Sequence, residues 1–289
     1  MAPRDILKQR GGRVEAFIKE EFYPEYKNPR AILARGDLAK AILGPAFDQL
    51  NHLFFTLPET VKRLPASQRP AYIEERCSGP YYYVTDHTAF ECSATREIQE
   101  HIEMRIYRAL MGPDMHEYLD ILLAHQEVKC LNGLASVPVS RFSGEMNTSL
   151  GNSITNYVFI KMLMERFNVT GNFFIEGDDG LLCFTKPLNT VQVSAFAKEN
   201  GFNLKIDEVP RPGDAGFLST YWTHELIPYK KPLGKYLAGT AWKLPQGVLS
   251  AEELMISRLV SMIEENLQND LLIELFDSLS ALWDKTRSR

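Results

Sequence analysis

The sequence predicts an α/β protein of the α+β kind, built on an antiparallel sheet flanked by helices. Three observations carry that expectation. Residues 172–175 and 181–184 are apolar runs joined by Glu176-Gly177-Asp178-Asp179-Gly180, which reads as a hairpin. In it the Asp-Gly step supplies the positive φ of a tight turn. Residues 81–85 (Tyr-Tyr-Tyr-Val-Thr) and 202–208 read as two more strands, the first aromatic and β-branched, the second alternating. Apolar residues recur at helical spacing within 38–57, at Ile98, Ile102, Ile106 and Leu110, and at Ile154, Val158 and Met162.

In chain order, residues 1–12 are polar and basic, and 14–21 are strand-like at their centre. Lys19, Lys27, Arg30 and Arg35 follow in the most cation-rich stretch that looks ordered. It reads either as a solvated loop with snorkelling stems or as a basic finger for phosphates, with Arg30 able to fork bidentately. The helix over 38–57 ends at Pro58, and 59–66 and 69–76 read as short helices. Strand 81–85 runs into Asp86, with Glu91 five residues on. Asp86 is either a helix cap or a carboxylate beside the hairpin. The helix after it closes at Gly112-Pro113, and 114–129 reads as another, with His125 on its apolar side. Ser143-Gly144-Glu145-Met146-Asn147-Thr148 then feeds a long helix through Asn152 and Ser153. Its small polar side chains are ordinary caps or contacts to a ribose, whose 2′-OH both donates and accepts. Residues 191–200 form a helix stopped by Gly201, and 216–222 form a further strand. Ser250-Ala251-Glu252-Glu253 is a capping box opening a helical tail over 252–284.

Composition narrows the chemistry. The chain has 289 residues, 45% hydrophobic and 24% charged, with a net charge of −5, so a general polyanion-binding surface is disfavoured and a local basic channel is not. Cys77, Cys92, Cys130 and Cys183 are scattered without a Cys-x-x-Cys pair or a secretory leader, which predicts reduced thiols. The six histidines make no zinc motif, and no apolar run approaches a membrane span. Two adjacent carboxylates at the tip of a buried hairpin repel each other unless a cation sits between them. Magnesium, a hard ion, suits that donor set.

The order of parts resembles the viral RNA-dependent RNA polymerases of positive-strand RNA viruses, most nearly the flavivirus-like and tombusvirus-like group. The residues that carry the resemblance are the basic segment, Asp86-x-x-x-x-Glu91, Ser143-Gly144-x-x-Asn147-Thr148-x-x-x-Asn152, Gly177-Asp178-Asp179, Gly201-Phe202-x-x-Lys205 and Phe217-Leu218-Ser219. They span residues 16–222.

The resemblance implies a right-hand polymerase with an antiparallel palm sheet, reduced fingers and a small helical thumb. Fingers would occupy 1–80, with the basic segment at 16–35, and an insertion at 113–140. Palm would occupy 81–112 and 141–222, and thumb 223–289. Asp86, Asp178 and Asp179 are then the catalytic and metal carboxylates for two Mg²⁺ ions, with Mn²⁺ as substitute. Lys205 is the lysine that protonates pyrophosphate, with Lys198 as runner-up. Lys19, Lys27, Arg30, Glu91, Ser143, Thr148 and Asn152 would meet the NTP. Arg35, Gly144, Phe217, Leu218 and Ser219 would meet RNA. Partners would be template, primer or product strand, NTPs and other viral replication proteins, in a membrane-associated complex of the host cytoplasm. Glu91 departs from the family, which more often has Asp there. The chain is also short, with little of the N-terminal extension that joins fingers to thumb. A reverse transcriptase and a catalytically impaired RNA-binding subunit are the alternatives.

Overall fold

The apolar runs beside Gly177-Asp178-Asp179 have no polar face because the sheet they enter is covered on both sides. In the computed structural model, which describes residues 13–19, 26, 28–124, 126–130, 133–230, 250–266, 273–278 and 280–281, four antiparallel strands form that sheet. They are β3 (Tyr81–His87), β6 (Gly171–Glu176), β7 (Asp179–Phe184) and β8 (Leu204–Val209), in the order β6-β7-β3-β8. Side chains alternate across it. Tyr83, Phe173, Ile175, Leu182, Phe184 and Ile206 pack on helices α5 (Thr148–Arg166) and α6 (Thr190–Glu199) through Phe159, Leu163, Val193 and Ala197. Phe174, Leu181 and Cys183 pack on the other face against Val61, Ile73, Phe217 and Trp222, with Ile73 on α2 (Arg69–Arg76).

A second sheet, in the order β2-β1-β4-β5, joins β1 (Arg13–Ile18), β2 (Ala31–Arg35), β4 (Gln126–Cys130) and β5 (Gly133–Val137). Its β1–β4 pair is parallel and the rest antiparallel. Helices α1 (Asp37–Phe54), α3 (Met104–Leu110) and α4 (Pro113–Leu119) bury Leu43, Phe47, Tyr107 and Leu119 against Leu150 and Ile154 of α5. Strands β9 (Thr220–Trp222) and β10 (Pro228–Lys230) form a small hairpin. Helix α7 (Ala251–Glu265) opens with both hydrogen bonds of the expected capping box, and Asn266 at its end accepts from the Lys230 amide at 2.8 Å. Among the described residues, no helix is long and apolar enough to cross a membrane.

Four expectations about elements need correction. Residues 59–66 are not a helix: Glu59 and Thr60 lie along the β6 edge, where the Glu59 carbonyl accepts from the Ile175 amide at 2.8 Å. The helix expected over 114–129 stops at Leu119, and after a 3₁₀ turn (Asp120–Leu123) the chain becomes β4. Leu119, Ile121 and Leu122 continue a helical spacing, but 126–130 pair on both edges, with the next strand β5 on one and with β1, more than a hundred residues upstream, on the other. The strand expected over 216–222 is a 3₁₀ turn (Phe217–Ser219) followed by only three strand residues, because Gly216, Leu218 and Ser219 all take positive φ. Helix α7 ends at Glu265 rather than running through the tail, and 273–278 are helical again.

A buried ion-pair network fixes the loop that leads into α5. The Arg141 guanidinium pairs with Glu103 and donates to the Asn147 carbonyl at 3.3 Å. Thr155 and Tyr107 hydroxyls donate to the same Glu103 carboxylate at 3.0 and 3.3 Å. Arg35 donates through Nε to Glu145 at 2.5 Å, and the other Glu145 oxygen accepts from the Phe142 amide. These bonds hold the first turn of α5 against β2 and the helical layer, which places the helix under the hairpin.

Candidate active site

The Gly-Asp-Asp hairpin turns two residues earlier than the Asp-Gly reading predicts. Glu176 pairs with Asp179, leaving a two-residue turn of Gly177 and Asp178, and Gly177 supplies the positive φ of 66°. Gly180 is a strand residue, kept small for another reason. A Cβ there would stand 2.4 Å from the Thr85 hydroxyl of β3, which itself is buried and donates to the Gly180 carbonyl. Gly180→Ala is therefore expected to prise β3 from β7 and lower stability by about 1–3 kcal/mol, read from a denaturant melt.

Thr85 faces Gly180, so Asp86 emerges next to the turn, and across from it on β8 stands Lys205. The chain then bends back through Ala89, whose φ of 53° is left-handed without a glycine, and returns Glu91 to the same end of the sheet. Strained non-glycine residues gather where a geometry is over-determined by its surroundings.

The carboxylates feel one another. Burial raises Asp178, and Glu91 and Asp86 add to the effect. Asp179 is pushed from an ordinary 3.8 up to about 6, first by burial and then by the charges of Asp178, Asp86 and Glu176. In the metal-free protein, the folded state thus binds more protons than the unfolded one between about pH 4 and 6. Stability from this group is present below pH 4 and lost as pH rises through 6. Thermal melts in chelator are expected to show that fall, on the order of 2–3 kcal/mol, and Asp179→Asn is expected to remove it.

Helix α5 grips the turn from beneath. Asn156 Nδ2 lies 3.2, 3.1 and 3.4 Å from the carbonyls of Gly177, Asp178 and Asp179, and the Gly177 amide donates to Ser153 Oγ at 2.8 Å. In the sequence a mid-helix Ser and Asn carry no visible tie to a turn more than twenty residues on. His87 is buried among Phe90, Phe159 and Phe202. Burial lowers its pKa to about 4, the nearby Asn156 side chain offsetting part of the shift, so the ring is neutral at physiological pH.

Other expected residues are placed as follows. Lys205 is exposed, within 2.5 Å of Asp207, and that partner raises its pKa. Lys198 is exposed on the last turn of α6. Ser143 is exposed, Asn152 is nearly fully buried, and its Oδ1 has no protein partner among the described residues. Thr148 Oγ1 donates to the Phe142 and Glu145 carbonyls at 2.7 and 3.0 Å, closing the loop into the helix. The Gly144 amide donates to the Leu33 carbonyl at 2.9 Å, and a Cβ would press on that carbonyl at 2.7 Å. Gly144 thus seats the loop on β2. Lys19 and Arg30 are exposed and joined through their backbones in the second sheet's outer pair, while Lys27 lies outside the described residues.

Two expected RNA contacts need correction. Arg35 is 1% exposed and ion-paired with Glu145, and Phe217 is a core residue beside Trp222, so neither side chain faces solvent. Leu218 is half-buried and Ser219 exposed, on the left-handed turn that Lys230 braces by donating to the Leu218 carbonyl at 3.1 Å.

Hard carboxylate oxygens that repel one another at a partly buried sheet end are the donor chemistry of a magnesium or manganese site. Among the described residues, no three His, Cys, Asp or Glu side chains stand close enough to enclose an ion, so the carboxylates would have to turn inward to do so.

A family model described as viral RNA dependent RNA polymerase matches residues 101–210. The RNA-directed RNA polymerase of Striped jack nervous necrosis virus is 28% identical over 238 residues, covering 76% of this chain. Both matches support a viral RNA-dependent RNA polymerase. The matched 101–210 contain the Ser143–Asn152 loop, the Gly177-Asp178-Asp179 turn and Lys205, and leave Asp86 and Glu91 just upstream. The chain spans 23% of that polymerase's length. Neither match bears on the flavivirus-like or tombusvirus-like subgroup.

Proposed function

We propose that the chain carries the catalytic centre of an RNA-dependent RNA polymerase, a nucleotidyltransferase that adds NTP-derived nucleotides to an RNA 3′-OH. One observation supports this above the rest: Asp86 and the Asp178-Asp179 pair, far apart in sequence, lie at one end of a doubly covered antiparallel sheet, where Glu91 adds to their mutual repulsion. Asp86 and Asp178, helped by Asp179, would hold two divalent cations, Mg²⁺ or Mn²⁺. When bound, these supply Lewis-acid stabilisation of the charge that grows on nucleophile and phosphate.

The chain's own residues do the rest. Lys205, across from Asp86, keeps a proton on Nζ for the leaving pyrophosphate, which favours it over Lys198. Lys19, Lys27 and Arg30 offset triphosphate charge. Glu91, Ser143, Thr148 and Asn152 recognise the ribose, whose 2′-OH both donates and accepts. Asn152 Oδ1 is buried without a protein partner among the described residues, so it reaches a sugar only if the loop before the helix opens. The long side chain of Glu91 reaches further than the family's usual Asp. Base choice comes from pairing with the template, so only shape and backbone contacts are asked of the protein. An RNA-binding subunit impaired in catalysis is the second reading.

The test is extension of a primed RNA template with ribo- and deoxyribonucleotides. Mg²⁺-dependent ribonucleotide addition is expected. Preferential use of deoxyribonucleotides would support a reverse transcriptase, and RNA binding without any addition would support the impaired subunit.

A further inference from the structure

We infer that Ser153 and Asn156 are positioning residues that hold the Gly177-Asp178-Asp179 turn in the posture its carboxylates need to share a cation. For its kinetic consequences this rests on the polymerase reading above, and for its structural ones it does not.

A two-residue β-turn normally leaves its peptide groups to water. Here the three carbonyls of Gly177, Asp178 and Asp179 are turned toward one amide nitrogen, Asn156 Nδ2, and the Gly177 amide is turned toward Ser153 Oγ. Both side chains are completely buried in α5. A polar group so placed costs stability unless its hydrogen bonds are made. Ser153 Oγ and Asn156 Nδ2 make theirs with the turn, while Asn156 Oδ1 has no protein partner among the described residues. The two residues are three apart, so they share one helical face and act on the turn together.

What they oppose is also visible. Asp178 and Asp179 repel each other, Asp86 and Glu91 add to the repulsion, and Lys161 of α5 is engaged elsewhere, with Glu59 at 3.8 Å. Without a grip on its backbone, a turn led by Gly177, whose missing side chain leaves open space, would relax outward and separate the carboxylates. Because the grip acts only on main-chain atoms, it leaves the carboxylate oxygens free. Asn152 immediately precedes Ser153 and lies one turn before Asn156, so a sugar seated on Asn152 and the metal turn are held by the same few residues of helix.

The test uses Ser153→Ala, Ser153→Thr and Asn156→Leu in the full chain, each checked for a cooperative melt. Three readouts are compared: amide exchange at residues 177–180 without metal, Mn²⁺ binding followed by electron paramagnetic resonance without RNA or NTP, and single-nucleotide extension. Ser153→Ala and Asn156→Leu are expected to speed exchange and weaken Mn²⁺ binding about tenfold or more. They should lower kcat about 10–100-fold while the NTP KM stays within about threefold. Ser153→Thr, which keeps the hydroxyl, should restore all three. If Asn156→Leu fails to fold, Ser153→Ala, which removes one acceptor only, decides the matter. Unchanged exchange and Mn²⁺ affinity in folded Ser153→Ala would overturn the inference. If wild type adds no nucleotide but exchange and Mn²⁺ binding shift as expected, the polymerase reading fails and the clamp stands.

Discussion

Asp178→Asn is expected to cut RNA-templated nucleotide addition about 10³-fold, equivalent to about 4 kcal/mol of transition-state stabilisation, without unfolding the protein. Asp178 is the sole side chain of the two-residue turn, since its companion is Gly177. The amide replacement keeps shape and removes the charged oxygen donor. It leaves the turn's anchorage intact, because Asn156 bonds the Asp178 main-chain carbonyl rather than its carboxylate. It also removes one of the charges that raise Asp179, so the metal-free melt at neutral pH should rise or hold. Single-turnover extension paired with thermal melts checks both halves. A loss of activity accompanied by a collapsed melt would say that the residue is structural.

The second large effect falls outside the site. Arg141→Met is expected to destabilise the fold by about 3–5 kcal/mol, because it leaves the Glu103 carboxylate charged and buried with only the Thr155 and Tyr107 hydroxyls around it. Adding Glu103→Leu should recover much of the loss, since an apolar pair avoids desolvating two charges. A double-mutant cycle by denaturant unfolding measures the coupling. The single variant should also impair any activity, since Arg141 holds the Asn147 carbonyl and with it the loop that starts α5.

Periodicity made much of the fold legible. The hairpin, strand β3 with Asp86 at its end, helix α5 and the Ser250/Glu253 capping box all follow from local patterns, and each forms. That Asp86 shares a sheet end with Asp178 and Asp179 was only half legible: its strand-to-helix junction reads equally as a helix cap, and only the family resemblance joins the three. What escaped depends on distant partners. Strand β4 looks helical until β5 and the distant β1 pair with its two edges, and 59–66 look helical until the β6 edge takes up Glu59 and Thr60. Arg35 reads as a free cation until Glu145, 110 residues later, buries it. Phe217 reads as an RNA contact until Trp222 and the sheet enclose it. Ser153 and Asn156 escaped for the same reason: their bonds to the turn exist only once α5 lies beneath it.

The most direct measurement is a template swap. Wild-type chain, a primed RNA template and Mg²⁺ are given each of the four NTPs singly, and then the templating base alone is changed. The expected result is that the accepted NTP changes to the new complement and that chelation stops addition. Addition indifferent to the templating base, or none at all from folded protein that binds the primed RNA, would contradict a template-directed polymerase centre at Asp86, Asp178 and Asp179.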